Sequence, residues 1–438
     1  MELKNYRTAV IYSCATCNLH CEYCNIDKNP ALLKVDKLLE NSFEDPNYYI
    51  DRIHKEFPNK EQLEEIQVWG GEPLLKIERI FNLLDKVIQD YPYFNTIFTS
   101  TNFSYENWVD KIHSLLKVFE KYPERDFYYI LQLSCDGPEY INDIGRGKGT
   151  TEKCLKNYNL LLENITNILP QNVYLKIAVK QTLDVNTFKK LDNKQKIIEY
   201  YKFFEDNFID PVNNIKLPNL DIATTIPNMA TPVPATKRDG ELFAIFCKNC
   251  QEIKKDEYFK YYRNITPYKK ETKSSYGKTY NCQSYCCGFG NQVVGLLPNN
   301  LYATCNEGFV YCDEDYTKIK DKDEVKSTIN KKIDAMNQRL CLNEEQYSTF
   351  QKQHSYFYND NSSFLIGNIT SLIVMLALTK QIEDKYSNIE KAAETANCIF
   401  DHISICLKDS YNSTGSFSMI PNGLIKLLLN GALEYILE

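Results

Sequence analysis

Apolar and polar positions alternate with two different periods along the first half of the chain. Short runs rich in β-branched and aromatic residues predict strands near Thr8–Tyr12, Ile66–Trp69, Thr96–Thr101, Tyr128–Cys135, Val173–Thr182 and Leu220–Thr225. Between these runs, apolar residues at helical spacing predict helices over Leu74–Asp90, Tyr105–Tyr122, Lys153–Ile168 and Ile197–Phe208. Strands that alternate with helices are typical of βα units, so the pattern predicts an α/β fold with a partial (β/α)6 TIM-like barrel.

The length of 438 residues predicts two or three domains. We expect the partial barrel over residues 1–227. Residues 228–246 begin with proline-containing, polar sequence and are interpreted as a linker, which opens a cysteine-rich domain over residues 228–342. Residues 343–438 hold few cysteines and three helical patterns, which predict a helical C-terminal cap over Phe364–Ile382, Ser387–Ile405 and Leu424–Leu437.

Charge and composition narrow the class of protein. The chain has 51 Lys and Arg against 58 Asp and Glu, a net charge of −7, so it lacks the basic footprint of nucleic-acid binding. The segment Met1–Arg7 has no apolar core of the signal-peptide type, which predicts a cytoplasmic protein whose 16 cysteines stay reduced. The apolar run Leu372–Leu378 is far shorter than the roughly 20 residues that span a bilayer, so no membrane association is expected.

Three cysteines on one loop are the strongest chemical signal. Cys17, Cys21 and Cys24 follow the first predicted strand, with three and then two residues between them. A four-iron cluster needs a ligand on each iron, so three thiolates would leave one iron open to bind another group. The alternative is zinc, with a distant fourth ligand. Cys14 and His20 lie close by, but they do not fit the ligand spacing, and we expect packing or hydrogen-bonding roles for them.

Three further motifs fall at the carboxyl ends of predicted strands, where barrels of this kind place their chemistry. Strand two ends in Val68-Trp-Gly-Gly-Glu-Pro73, and strand three ends in Thr99-Ser-Thr-Asn102. Strand four ends in Ser134-Cys-Asp-Gly-Pro138, which is followed by Asp143, Arg146 and Gly147-Lys-Gly-Thr150. Alone, Gly70-Gly-Glu-Pro73 and Asp136-Gly137 are weak signals, because each could be an ordinary turn.

Together these four motifs, in this order, resemble the radical S-adenosylmethionine (SAM) enzymes. The resemblance implies a [4Fe-4S] cluster on Cys17, Cys21 and Cys24, whose open iron chelates SAM. It implies that Gly70, Gly71 and Glu72 bind the SAM amino group. It implies that Ser134 and Arg146 hold the carboxylate, that Asn102 lies near the ribose, and that Asp136 belongs to the same cofactor-binding segment. No residue is assigned as a catalytic acid or base.

The second cysteine-rich region resembles the auxiliary-cluster domain called SPASM, or its shorter form called twitch. The resemblance implies at least one auxiliary [4Fe-4S] cluster, and the candidate ligands are Cys282, Cys287, Cys305 and Cys341, with Cys247, Cys250, Cys286 and Cys312 as further candidates. A structural zinc at Cys247, Cys250 and two later cysteines is the alternative. Cys135, Cys154, Cys398 and Cys406 are interpreted as packing residues.

The resemblance implies an enzyme that cleaves SAM reductively to a 5'-deoxyadenosyl radical, which abstracts hydrogen from a substrate. Auxiliary clusters point to a peptide or protein substrate, modified by a cross-link, thioether or epimerisation. One alternative is a maturase that oxidises an active-site residue of a partner protein such as a sulfatase, and another is a radical SAM enzyme that acts on a small molecule. The alternative of a different class is a non-enzymatic iron-sulfur or zinc protein. The expected partner is a one-electron reductant of the flavodoxin or ferredoxin type. Since only six residues precede Arg7, we expect a peptide substrate to be held by the C-terminal cap or by a separate leader-binding protein.

Overall fold

The computed structural model describes residues 6–24, 26–27, 32–208, 217–229, 236–254, 293–298 and 302–303. The strands within these ranges are β1 (Thr8–Cys14), β2 (Glu65–Gly70), β3 (Thr96–Thr101), β4 (Phe127–Ser134), β5 (Val173–Leu183), β6 (Leu220–Met229), β7 (Val293–Leu296) and β8 (Tyr302–Ala303). They form a sheet in the order β6-β5-β4-β3-β2-β1-β7-β8. Seven strands are parallel, and β8 runs antiparallel to β7.

Helices connect the parallel strands. They are α1 (Leu32–Glu44), α2 (Tyr48–Glu56), α3 (Phe81–Asp90), α4 (Trp108–Glu120), α5 (Glu139–Arg146), α6 (Thr150–Ile168), α7 (Val185–Lys190), α8 (Lys194–Phe208) and α9 (Lys237–Lys254), with a 3₁₀ helix over Pro73–Ile80. In the described part of the chain β6 and β8 are the edges, so the sheet is open. The predicted fold class, a partial barrel of βα units, is confirmed.

The two faces of the sheet differ because side chains alternate along each strand. One face lies under the helices, and its core residues include Ile11, Ile66, Val68, Ile97, Leu131, Leu133, Ile177 and Val179. The opposite face, which we call the open face, carries polar and aromatic side chains that are mostly half-buried: Trp69, Phe98, Ser100, Gln132, Ser134 and Lys180. The apolar runs therefore build the core under the helices, and the alternate positions form the opposite face.

Two elements differ from the sequence-based expectations. The predicted linker over 228–246 is helical from Lys237, and α9 packs Phe243 and Phe246 against Phe188 of α7, with ring centroids 5.4 and 5.2 Å apart. These aromatic residues give the segment an apolar face that a linker would lack. Strand β7 comes from the predicted cysteine-rich domain, yet it pairs with β1 and extends the barrel sheet.

The remaining domain predictions lie outside the described residues. These are the helical cap over 343–438 and most of the cysteine-rich region, so the boundaries at 227 and 342 stay predictions. Among the described residues, none of the helices is long and apolar enough to cross a membrane.

Candidate functional site

The candidate site lies where strands β1 to β4 end. The cysteine loop follows β1, Gly70 closes β2, Asn102 follows β3, and Ser134 closes β4. Because neighbouring strands are parallel and in register, these carboxyl ends meet at one edge of the sheet. The structure thus brings together the four motifs that the sequence spreads over more than a hundred residues.

Gly70 and Gly71 allow the cysteine loop to lie directly against the end of β2. The backbone N–H of Gly71 donates to the Cys14 carbonyl at 3.0 Å, and that of Glu72 donates to the Thr16 carbonyl at 2.9 Å. A Cβ atom on Gly70 would lie 2.2 Å from the Cys14 oxygen, and one on Gly71 would lie 2.3 Å from the Thr16 oxygen. No side chain fits there, so both glycines are required by the loop itself.

Glu72 is a buried carboxylate that holds two motifs together. One oxygen accepts from the Leu74 N–H at 3.1 Å, which caps the 3₁₀ helix, and the other accepts from the Asn102 N–H at 2.7 Å. Burial raises its pKa to about 7, although these hydrogen bonds and one from Thr101 oppose the rise. A carboxylate has about four acceptor positions. Three donors therefore leave one position for the ammonium group predicted to bind here.

Asn102 connects the end of β3 to the cysteine loop. Its amide nitrogen donates to the side-chain oxygen of Asn18 at 2.8 Å and contacts the Cys17 sulfur at 3.5 Å. Its amide oxygen accepts from the Ser104 N–H at 2.9 Å and the Ser104 hydroxyl at 2.7 Å. The predicted position near a ribose is untested, and the observed contacts give Asn102 a role in placing the loop.

The three cysteine thiols of the loop are partly or fully buried. Burial, with smaller contributions from Glu72 and the other two thiols, raises the pKa of Cys17 to about 12. Burial likewise raises the pKa of Cys21 to about 11. Backbone N–H groups point at two of the sulfurs, from Leu19 to Cys17 and from Asp27 to Cys24, both at 3.4 Å. Iron would supply the positive charge that three mutually repelling thiolates need, so the donor set fits a cluster.

The described residues contain no group of three or more His, Cys, Asp or Glu side chains that could hold a metal ion. In a four-iron cluster each thiolate binds a different iron, so the three cysteines need not converge on one ion. The predicted auxiliary ligands Cys282, Cys287, Cys305 and Cys341 lie outside the described residues, as do Cys286 and Cys312. Cys247 and Cys250 lie within α9.

The cysteines and the histidine that were predicted to have no ligand role have other partners. The buried Cys14 thiol donates to the Glu72 carbonyl at 3.2 Å. His20 is exposed and lies 2.8 Å from the Asp27 carboxylate. Cys135 and Cys154 are buried in the core. These positions agree with packing and hydrogen-bonding roles.

A buried ion pair lies behind the cysteine loop. The Nε and Nη2 atoms of Arg146 donate to the two oxygens of Asp136 at 2.9 and 2.8 Å, and both residues are less than a tenth exposed. The Tyr23 hydroxyl donates to Asp136, and its ring lies 5.6 Å from the Arg146 guanidinium. The Thr182 N–H on β5 also donates to Asp136, at 2.7 Å. The Arg146 guanidinium, predicted to bind the SAM carboxylate, thus binds Asp136 instead. Its third nitrogen, Nη1, makes no hydrogen bond to the described residues.

The rest of the fourth-strand motif shapes the backbone. Asp143 accepts hydrogen bonds from the Gly149 and Thr151 N–H groups, which caps the N-terminus of α6. Asn142 accepts from the Asp136 N–H at 2.8 Å, which ties α5 to the end of β4. Sequence reasoning missed these roles, and also the role of Asp36 on α1, whose carboxylate accepts from the Ala15 N–H of the cysteine loop at 2.7 Å. No sequence motif marks these contacts, because each joins a polar side chain to a backbone N–H group in another turn or element.

Residues 6–128 match the family described as a 4Fe-4S single cluster domain. A search of curated proteins found no significant match to the chain. The matched segment contains the cysteine loop, Glu72 and Asn102, and it ends before Ser134. It supports an iron-sulfur protein of the radical SAM type, in which this part of the chain binds a 4Fe-4S cluster.

Proposed function

We propose that the chain is a radical SAM enzyme in which Cys17, Cys21 and Cys24 bind the catalytic cluster. The observation that carries the proposal is the direct packing of the cysteine loop against Gly70 and Gly71, with the Glu72 carboxylate immediately behind them. A mere electron carrier needs a cysteine loop, but it has no use for a buried carboxylate with a spare acceptor position beside it. The family match to residues 6–128 supports the cluster.

The chain's own residues would position the cofactors. When bound, the cluster supplies the electron that breaks the bond between the sulfur and the 5' carbon of SAM, which starts hydrogen abstraction from the substrate. Glu72 would accept the SAM ammonium, and the half-buried Ser134 closes β4, with β3 between it and β2. Asn102 would keep the loop in place through its contacts to Asn18 and Cys17. The buried Tyr23–Asp136 contact would anchor the loop from its other side.

The test is anaerobic iron and sulfide analysis combined with a SAM-cleavage assay. The wild type should release 5'-deoxyadenosine after reduction, and the triple variant Cys17→Ala, Cys21→Ala, Cys24→Ala should lose about four irons together with this activity. Cys14→Ala is the matched control, because Cys14 is buried beside the loop and lies off the ligand spacing. Zinc in place of iron, without SAM cleavage, would mean a metal-stabilised binding protein and would refute the enzyme.

The same measurement counts the proposed auxiliary clusters. About eight irons in the wild type would correspond to one auxiliary cluster, and about twelve to two. The candidate ligands are Cys282, Cys287, Cys305 and Cys341, whose replacement should remove iron and leave the first cluster in place.

For the substrate we propose a peptide or protein side chain, supported by the resemblance of the second cysteine-rich region to auxiliary-cluster domains of peptide-modifying enzymes. The neighbouring genes test this: a short open reading frame encoding a precursor peptide is expected. A sulfatase gene would favour the maturase, and a sugar or amine pathway would favour a small molecule. A flavodoxin or ferredoxin would supply the electron.

A further inference from the structure

Three side chains beside the cysteine loop form a closed ring of hydrogen bonds. The Asn18 amide nitrogen donates to the Ser104 hydroxyl at 3.0 Å, and that hydroxyl donates to the Asn102 amide oxygen at 2.7 Å. The Asn102 amide nitrogen donates to the Asn18 amide oxygen at 2.8 Å, which closes the ring. Because Asn18 directly follows Cys17, the ring joins the first cysteine of the loop to the turn after β3.

The direction of the Asn102 amide follows from its backbone neighbour. The backbone nitrogen of Ser104 can only donate, and it lies 2.9 Å from the nearer amide atom of Asn102, so that atom is the oxygen. The amide nitrogen then faces the cysteine loop, where it lies 3.5 Å from the Cys17 sulfur. Exchanging the two amide atoms would set an N–H group against the Ser104 N–H. The Cys17 sulfur therefore has an N–H donor in front of it.

The backbone that presents Asn102 is strained at the next residue. Phe103 has a φ of +58°, and among the described residues it alone combines a side chain with a positive φ. For a bulky aromatic residue this conformation is a genuine outlier. Its buried ring packs against Trp108, with centroids 4.0 Å apart, and its carbonyl oxygen accepts from the Asn157 amide of α6 at 2.8 Å. Strain of this kind persists only where the surrounding structure imposes it, and it is common at functional sites.

Asn102 offers the loop a donor that a side-chain substitution can remove. Leu19 and Asp27 also donate to cysteine sulfurs, but through backbone N–H groups. Asn102 is buried, so little water competes with its amide for the Cys17 sulfur. Its backbone N–H donates to Glu72 at 2.7 Å, independently of the side chain. A change of the side chain therefore removes the donor to sulfur and leaves the link to Glu72.

A donor to a cysteine sulfur acts on the electron affinity of an iron-sulfur cluster. Reduction adds one electron, supplied here by the external reductant, and part of the added negative charge resides on the cysteine sulfurs. An N–H donor binds a more negative acceptor more strongly, so it stabilises the reduced state more than the oxidised one. Hydrogen bonds to the sulfurs are thus one of the determinants of the reduction potential.

We propose that Asn102 is a positioning residue that raises the reduction potential of the cluster by donating to the Cys17 thiolate. The proposal rests on the proposed function, in that Cys17 must be a cluster ligand. It gives Asn102 a role in the transfer of the electron to the cluster, in addition to the predicted position near the ribose. The ring with Asn18 and Ser104, on the strained turn at Phe103, holds the amide at this distance from the sulfur.

The test is a potentiometric titration of the anaerobically reconstituted full chain, followed by electron paramagnetic resonance. The signal of this cluster is the one that is absent from the Cys17→Ala, Cys21→Ala, Cys24→Ala variant. Asn102→Leu keeps the approximate size and branching of the side chain and lacks its N–H. Ser104→Ala is the matched control, because Ser104 is buried like Asn102 and its backbone N–H still orients the Asn102 amide.

Without the hydrogen bond, the balance between the two states should move away from the reduced cluster by about threefold to tenfold, which lowers the potential by about 30–60 mV. Ser104→Ala should keep the wild-type potential. Asn102→Asp should lower the potential at least as far as Asn102→Leu, since it keeps the acceptor for Ser104 and puts an oxygen where the donor nitrogen was. The iron–sulfur stretching bands in the resonance Raman spectrum should shift to higher frequency in both variants, because a thiolate without its donor binds iron more strongly.

An unchanged potential in both Asn102 variants would overturn the proposal, and so would an equal fall in Ser104→Ala. Loss of the cluster from both Asn102 variants, with Ser104→Ala retaining it, would reduce Asn102 to a structural role and would overturn the proposal as well.

The outcome is separable from that of the proposed function. A wild type that holds the cluster but cleaves no SAM, with a lowered potential in Asn102→Leu, would keep the role of Asn102 and refute the enzyme. SAM cleavage by the wild type, with the potential unchanged in both Asn102 variants, would keep the enzyme and refute the role of Asn102. A wild type without iron would refute both.

Discussion

The buried pair of Asp136 and Arg146 permits a quantitative test of how the site is held. Asp136→Asn keeps the shape of the side chain and an acceptor for Tyr23, but it removes the charge that faces Arg146. The guanidinium cannot lose its proton, so it would remain charged at a position that is 7% exposed. Breaking a buried pair in this way costs about 3–5 kcal/mol.

The reverse substitution, Arg146→Met, leaves Asp136 buried without its cation. This variant should therefore also be destabilised, and the comparison with Asp136→Asn separates the cost of an unpaired guanidinium from that of an unpaired carboxylate.

The assay is urea denaturation of the full chain, followed by circular dichroism, for the wild type, both single variants and the double variant. Because the double variant has no unpaired charge, it should be more stable than the sum of the single effects predicts, by about 2 kcal/mol or more. Asp192→Asn is the control, since its ion pair with Lys196 is about half exposed and should contribute little. A loss below about 1 kcal/mol for Asp136→Asn, or strict additivity, would refute the reasoning.

Two further predictions concern the glycines and a buried acid. Gly71→Ala places a Cβ atom 2.3 Å from the Thr16 oxygen, so the reconstituted variant should bind less iron. Gly149→Ala, where φ is +77° and no atom lies within 4 Å of the added Cβ, should lose about 1–2 kcal/mol of stability and still bind the wild-type amount of iron. Burial raises the pKa of Glu65 on β2 to about 7, although hydrogen bonds from Gln67 and Thr8 lower it. Because the folded-state pKa is above the unfolded value, the contribution of Glu65 to stability is lost as the pH rises from 4.5 through 7. Glu65→Gln should remove this loss. The free energy of unfolding from urea denaturation should exceed that of the wild type by up to about 3 kcal/mol above pH 7, and the difference should vanish near pH 4.5. A difference that does not change with pH would contradict the prediction.

Much of the fold follows from local pattern. The alternation of short β-rich runs with helical spacing predicts six strands and four connecting helices. All six strands and three of the helices are present with shifts of a few residues, whereas the helix predicted over Leu74–Asp90 is a 3₁₀ helix over Pro73–Ile80 followed by α3. Strand β7 and helix α9 were not predicted. Strand β7 is four residues long, and its pairing with β1 depends on a partner almost three hundred residues away. The helix α9 follows a proline-containing segment whose composition is typical of a linker.

The sequence by itself determined which residues meet at the candidate site, because parallel strands with motifs at their carboxyl ends must bring those motifs to one edge. Only the tertiary structure decided what each residue does there. Gly71 faces the Thr16 carbonyl, Arg146 faces Asp136, and Lys180 reaches Trp69 over two intervening strands. Such contacts depend on the curvature of the sheet and on the side-chain rotamers, which are set by packing between segments far apart in the chain and leave no periodic signal in the sequence.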